Sequence, residues 1–101
     1  MQFASTIDTP DLSAVTDMSY AFNGCKTFNQ PLNNWDVSNV EDMSSLFSGC
    51  SAFNQTVNDW EVDKVIYMGY LFDDCKSFNQ PLNNWNVKNA NDMSSMFSGC
   101  N

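Results

Sequence analysis

The chain repeats itself every 25 residues, and this periodicity restricts its fold more than any other feature. Four units, 1–25, 26–50, 51–75 and 76–100, are followed by a trailing Asn101. Units two and four agree at 19 of 25 positions. Four columns are invariant: Phe3, Phe28, Phe53 and Phe78; Met18, Met43, Met68 and Met93; Phe22, Phe47, Phe72 and Phe97; and Cys25, Cys50, Cys75 and Cys100. Four more columns stay apolar, beginning at Ile7, Leu12, Val15 and Ala21 in unit one. Trp35, Trp60 and Trp85 share a column in which unit one carries Pro10. A unit this short cannot bury its own apolar face, so neighbours must stack with like columns above one another at about the ~4.8 Å spacing of adjacent strands.

Within a unit the period changes. Leu32, Trp35 and Val37 end in a two-residue alternation, which predicts a short strand with Asp36 on the opposite face. Val40, Met43, Phe47 and Cys50 then recur at three- and four-residue steps, which predicts a short helix. Ser38 with Glu41 three residues on forms a capping-box pattern, Ser13, Asp63 and Asn89 serve as N-caps in the other units, and Gly24, Gly49 and Gly99 sit where a left-handed residue ends a helix. Phe-Asn-Gln-Pro-Leu, as at 28–32, is a loop in which Pro cannot join a ladder. The expected fold is therefore an α/β repeat solenoid, leucine-rich-repeat-like, of four stacked units each with a short parallel strand and a short helix.

Composition narrows the function. Twelve acids face four lysines and no arginine, giving a formal charge of −8. That balance disfavours nucleic acid and anionic membrane surfaces, which select clustered Lys and Arg. No run approaches the roughly 18 apolar residues of a membrane span, and the N-terminus lacks the basic-then-apolar layout of a signal peptide. Histidine is absent, and no local signature supplies a base for a nucleophilic Ser or Cys, so the chain is expected not to be an enzyme. The 43% apolar content predicts a packed core.

The run Leu32-Asn-Asn-Trp35-Asp-Val37-Ser-Asn-Val40-Glu-Asp-Met43-Ser-Ser-Leu46-Phe47-Ser-Gly-Cys50 resembles the BspA-like bacterial surface leucine-rich repeats, in their 25-residue subtype from surface lipoproteins and secreted proteins. Unit one departs from that pattern in lacking the Trp and the Asn-Gln-Pro loop. The resemblance implies display at the cell surface or secretion, a role in adhesion or protein binding, and no catalytic residues.

The strand face alternating with the buried residues is the candidate partner-binding surface. It presents Asn34, Asp36 and Ser38, then Asp59, Glu61 and Asp63, then Asn84, Asn86 and Lys88, with Thr9, Asp11 and Ser13 from unit one. Carboxylates placed so close favour a basic protein partner or a cation; the plain alternative is a solvated polar face. Calcium has oxygen ligands available but no EF-hand spacing, and no cofactor is expected. Four cysteines 25 apart do not suit zinc; either stacked neighbours pair as disulfides or, on the apolar face, they are small buried hydrophobes. The Trp column belongs to the core by its phase with Val37, Val62 and Val87. Asn29, Asn54 and Asn79, with Gln30, Gln55 and Gln80, are expected to form amide ladders. Tyr20, Tyr67 and Tyr70 offer a second surface on the helical side. Unit three differs most from its neighbours, at Thr56, Asp59-Trp-Glu61, Lys64 and Asp73-Asp74 among others. No capping sequence covers Leu82, Trp85 and Val87, so either the chain is part of a longer array or its copies self-associate through uncapped ends, the alternative function.

Overall fold

A backbone that stacks identical columns can connect an N–H to its own unit or to a neighbouring one. In the computed structural model, which describes residues 10–100, it does both in strict alternation. Met18, Tyr20, Phe22 and Gly24 donate their N–H groups to the carbonyls of Asp42, Ser44, Leu46 and Ser48 in the following unit, at 2.7–3.0 Å. The residues between them close local turns: the Ala21, Asn23 and Cys25 N–H groups donate to the Met18, Tyr20 and Phe22 carbonyls. Units two and three repeat the scheme, from Met43 N–H to the Tyr67 carbonyl through Asp74 N–H to the Ser98 carbonyl. In the opposite sense, the Glu41 and Asp42 N–H groups converge on the Thr16 carbonyl, as those of Ile66 and Tyr67 do on that of Glu41.

This arrangement overturns the expected α/β solenoid of leucine-rich-repeat type. Among the described residues there is no helix and no strand, only isolated parallel bridges linking Asp17, Asp42, Tyr67 and Asp92 in succession. The molecule is a compact body of turns, 30 × 30 × 22 Å with a radius of gyration of 12.3 Å, close to the ~13 Å of an ordinary globular domain of this length.

The segment expected to be helical fails for three physical reasons. Residues 40–50 hold three serines and a glycine, poorer helix formers than Ala by roughly 0.5–1 kcal/mol each. Asp42 offers its Oδ1 to the Ser44 N–H at 2.9 Å, a local bond that competes with the helical one. Ser45 then takes φ 57°, and Gly49 φ 78°, which a right-handed helix cannot contain. Tyr20, Tyr70 and Ser95 repeat the first left-handed position and Gly24, Asp74 and Gly99 the second. Successive turns of this kind return apolar side chains to one side every three or four residues, as a helix does. The period was real and its cause was different. At Gly49 a side chain would also crowd the backbone, since its Cβ would lie 3.4 Å from Gly24.

The core runs through the stack. Phe22, Phe47, Phe72 and Phe97 lie in a column with ring centroids 5.7 Å apart. Each of the first three also stacks on the Phe six residues later, at 4.4, 4.3 and 4.2 Å. Met43, Leu46, Val57, Val65, Met68 and Leu71 fill the space around them and are wholly buried. Trp35 and Trp60 are buried and Trp85 half-buried, as the phase of that column requires. Phe3, Ile7 and Thr9 lie outside the described residues.

Candidate functional site: an exposed acidic rim

The rim is built by two turns per unit. The Trp35 N–H closes one on the Leu32 carbonyl, and the Val40 N–H closes the next on that of Val37, both at 3.0 Å. With Trp35, Val37 and Val40 turned inward, the intervening side chains have no direction left but outward. The indoles lock the arrangement: Trp60 Nε1 donates to the Leu32 carbonyl at 2.9 Å and Trp85 Nε1 to that of Val57 at 2.8 Å. A Trp thus anchors its unit to the one before it.

All eight predicted partner-binding residues, Asn34, Asp36, Asp59, Glu61, Asp63, Asn84, Asn86 and Lys88, are exposed. They do not stand on a sheet face, because no strand is present among the described residues; they stand on successive turns. Asp36 is tied locally. Its Oδ1 accepts from the Ser38 N–H at 3.0 Å and the Ser38 hydroxyl at 2.6 Å, and these bonds hold its carboxyl below the usual carboxylate range. Ser38 is therefore a donor to a turn and not a helix cap, and Ser13 and Lys88 make the same N–H bond to Asp11 and Asn86. The other expected caps, Asp63 and Asn89, also meet no helix: the Asp63 carbonyl accepts from Asn89 Nδ2 at 2.7 Å. No group of three or more Cys, Asp or Glu is placed to hold a metal ion among the described residues.

Unit three is chemically distinct. The Asp59, Glu61 and Asp63 carboxylates accept no hydrogen bond and form no ion pair among the described residues. The nearest cation in sequence, Lys64, donates its Nζ to the neutral Asn39 Oδ1 at 3.0 Å. Three exposed carboxylates in five residues are left uncompensated.

The amide ladders form as expected. Asn29 Oδ1 accepts the Asn54 N–H at 2.9 Å and Gln55 Nε2 at 3.0 Å, and Asn54 Oδ1 accepts the Asn79 N–H and Gln80 Nε2 in the same way. A second set, Asn39 Nδ2 to the Ser13 carbonyl and Asn89 Nδ2 to that of Asp63, brackets the position where unit three carries Lys64. The Asp-x-Ser turns at Asp17, Asp42 and Asp92 were not read from the sequence, although the recurring Asp-Met-Ser triplet was the signal for them.

The cysteines are free thiols, not disulfides. Cys50 and Cys75 are buried and donate Sγ–H to the Phe22 and Phe47 carbonyls at 2.9 Å. Burial pushes both thiols up to about 12, so they stay protonated and unreactive at neutral pH. Tyr20, Tyr67 and Tyr70 are exposed, but on the turn segments and not on helices. A shallow open groove lined by Glu41, Lys64, Ile66, Asn89 and Asn91 lies beside the rim.

No curated protein and no solved structure matches this chain. A family match extends from residue 1 to residue 101, the same four units whose stacking builds the rim: the chain belongs to the family described as Mycoplasma protein of unknown function, DUF285.

Proposed function

We propose that this chain is a non-catalytic protein-interaction module of a bacterial surface or secreted protein, and that it binds a basic polypeptide partner through the acidic rim. The observation that carries the reading is the uncompensated trio Asp59, Glu61 and Asp63, exposed on a turn while Trp60 and Val62 between them are buried. Leaving like charges unpaired costs folding free energy, and a cationic partner offsets it. Asp36 and Glu61 occupy the same column in adjacent units and widen the charged surface beyond one turn. The surface or secreted setting rests on the resemblance to BspA-like surface proteins and on membership of a Mycoplasma family. The non-catalytic reading is supported by the chemistry of the ionisable groups: the chain has no His, and the buried thiols are held protonated.

The test is binding of an oligolysine peptide, followed by solid-phase binding to host extracellular proteins. Asp59→Asn, Glu61→Gln and Asp63→Asn together are expected to weaken capture by about tenfold or more at low salt, with the melting temperature slightly raised because the repulsion among the three is gone. Capture that survives the triple substitution removes the rim as the site.

A further inference from the structure

One column of the stack carries bulky side chains where the backbone least favours them. Tyr20, Ser45 and Tyr70 stand in register: the Tyr20 N–H donates to the Ser44 carbonyl, the Ser45 N–H to that of Gly69 and the Tyr70 N–H to that of Ser94, at 2.9–3.0 Å. With Ser95 they take left-handed φ angles of 52–62°, which a bulky residue seldom adopts. Tyrosine nevertheless holds two of the four positions, 63% and 49% exposed. Neither ring stacks on another and neither hydroxyl forms a hydrogen bond among the described residues. Packing does not offset the strain, and strain of this kind marks functional positions.

The same backbone angle in register directs the Tyr20 and Tyr70 side chains alike, two inter-unit steps or about 10 Å apart. The short Ser45 between them leaves a slot. It lies over unit two, between units one and three, and so does not depend on what adjoins either end of the stack. Its floor is polar: Ser45 is 7% exposed, and its hydroxyl forms no hydrogen bond among the described residues although it is not sealed from solvent. The Ser38 and Ser94 hydroxyls, by contrast, donate to the carboxylates of their own turns. Three carboxylates line the base of the column. Asp17 Oδ1 accepts from the Ser19 N–H and Asp42 Oδ1 from the Ser44 N–H, both at 2.9 Å, and Asp92 lies against Gly69, where an added Cβ would meet its Oδ2 at 3.3 Å. No lysine is bonded to any of them among the described residues.

We infer that this slot takes a guanidinium, the arginine side chain of a partner polypeptide, which enters between Tyr20 and Tyr70 and donates an N–H to Ser45 Oγ. A cation midway across about 10 Å lies about 5 Å from each wall, within the ~6 Å reach of attraction to a ring face. The carboxylates favour a cation over a neutral ring, and the unpartnered hydroxyl favours one that donates hydrogen bonds over a quaternary ammonium. Guanidinium surpasses ammonium here because its planar face stacks on the rings and it is more weakly hydrated. The chain has no arginine of its own to fill the slot. The site uses none of Asp59, Glu61 and Asp63 and stands apart from the rim.

The experiment titrates the whole chain with two blocked peptides, Gly-Gly-Arg-Gly-Gly and its lysine counterpart, and follows the tyrosine ring protons by NMR. The arginine peptide is expected to shift the Tyr20 and Tyr70 rings and to bind about fivefold or more tighter than the lysine peptide. Tyr20→Ser and Tyr70→Ser each install the residue that Ser45 and Ser95 already supply in this column, so the fold should hold, with tryptophan emission unchanged. Each should weaken the arginine peptide about fivefold, and Ser45→Ala about threefold. The combined Asp59→Asn, Glu61→Gln and Asp63→Asn variant should keep the arginine preference, so failure of the rim and failure of the slot read differently. Equal binding of the two peptides overturns the proposal, as does binding that survives both tyrosine substitutions together, or a preference lost with the rim trio. A methyl pyranoside that shifts both rings where the arginine peptide does not would make the slot a saccharide site and overturn it too.

Discussion

Units two and four are almost the same sequence in two different environments. They share 19 of 25 residues, yet Met43 and Phe47 are fully buried while Met93 and Phe97 are nearly half exposed. Unit two has a neighbour on each side among the described residues; unit four is described with one. The difference teaches that burial here belongs to the junction between units and not to the unit. A residue's worth is set by how many neighbours stack on it.

That contrast can be broken or sharpened by paired substitutions. The largest effect is expected at the Phe column: Phe47→Ala should cost about 3–5 kcal/mol, as for a closed core site, and Phe97→Ala only about 1–2 kcal/mol, read as denaturant midpoints. Equal costs would mean that unit four is as enclosed as unit two. Next comes the indole anchor, where Trp60→Phe should lose about 1 kcal/mol, because it removes one of the two donors on the Leu32 carbonyl and leaves the Trp35 N–H in place. In the amide ladder, Asn54→Ala removes an acceptor that serves both Asn79 and Gln80, so a loss of about 1 kcal/mol is expected. Asn79→Ala, whose side-chain oxygen accepts from no described residue, should be nearly silent.

The smallest effect is alkaline. The Cys50 and Cys75 thiols titrate at about 12 in the folded chain against an ordinary 9.0. A raised folded value means that their stabilising contribution is complete below pH 9 and is lost as pH rises from 9 toward 12. The melting temperature should therefore fall over that window, and less so in Cys50→Ala/Cys75→Ala. Half-buried Cys100 should react with a thiol reagent before either of them.

Much of this was legible in the sequence, and the reason lies in which signals are local. The 25-residue register, the inward Trp column, the Asn and Gln ladders and the left-handed glycines follow from column identity and elementary side-chain chemistry. The exposure of all eight rim residues followed from their alternation with Trp35, Trp60 and the valines. Secondary structure did not follow. Val40, Met43, Phe47 and Cys50 carry a helical spacing, but the bonds that decide the backbone run between units, from Met43 to Tyr67 and from Phe47 to Leu71, and no window within one unit contains both partners. Leu82, Trp85 and Val87, expected to lack cover, are half-buried where their counterparts in units two and three are buried, but the largest exposure falls on Met93 and Phe97, which the sequence did not single out. Tyr20 and Tyr70 hold left-handed backbone angles that Ser45 and Ser95 adopt in the same column, and no ring or hydrogen-bond contact among the described residues explains the choice of tyrosine.

The alternating direction of the amide bonds has a genetic consequence. A single inserted or deleted codon between Met43 and Gly49 would throw the remaining N–H groups of that segment out of phase with Tyr67–Asp73 on one side and their carbonyls out of phase with Met18–Gly24 on the other. Loss or gain of a whole 25-codon block leaves each surviving junction chemically intact. The stack is therefore tolerant of a change in the number of units and intolerant of a slip in phase inside one, so removing residues 51–75 whole should cost far less stability than removing any single residue between Met43 and Gly49.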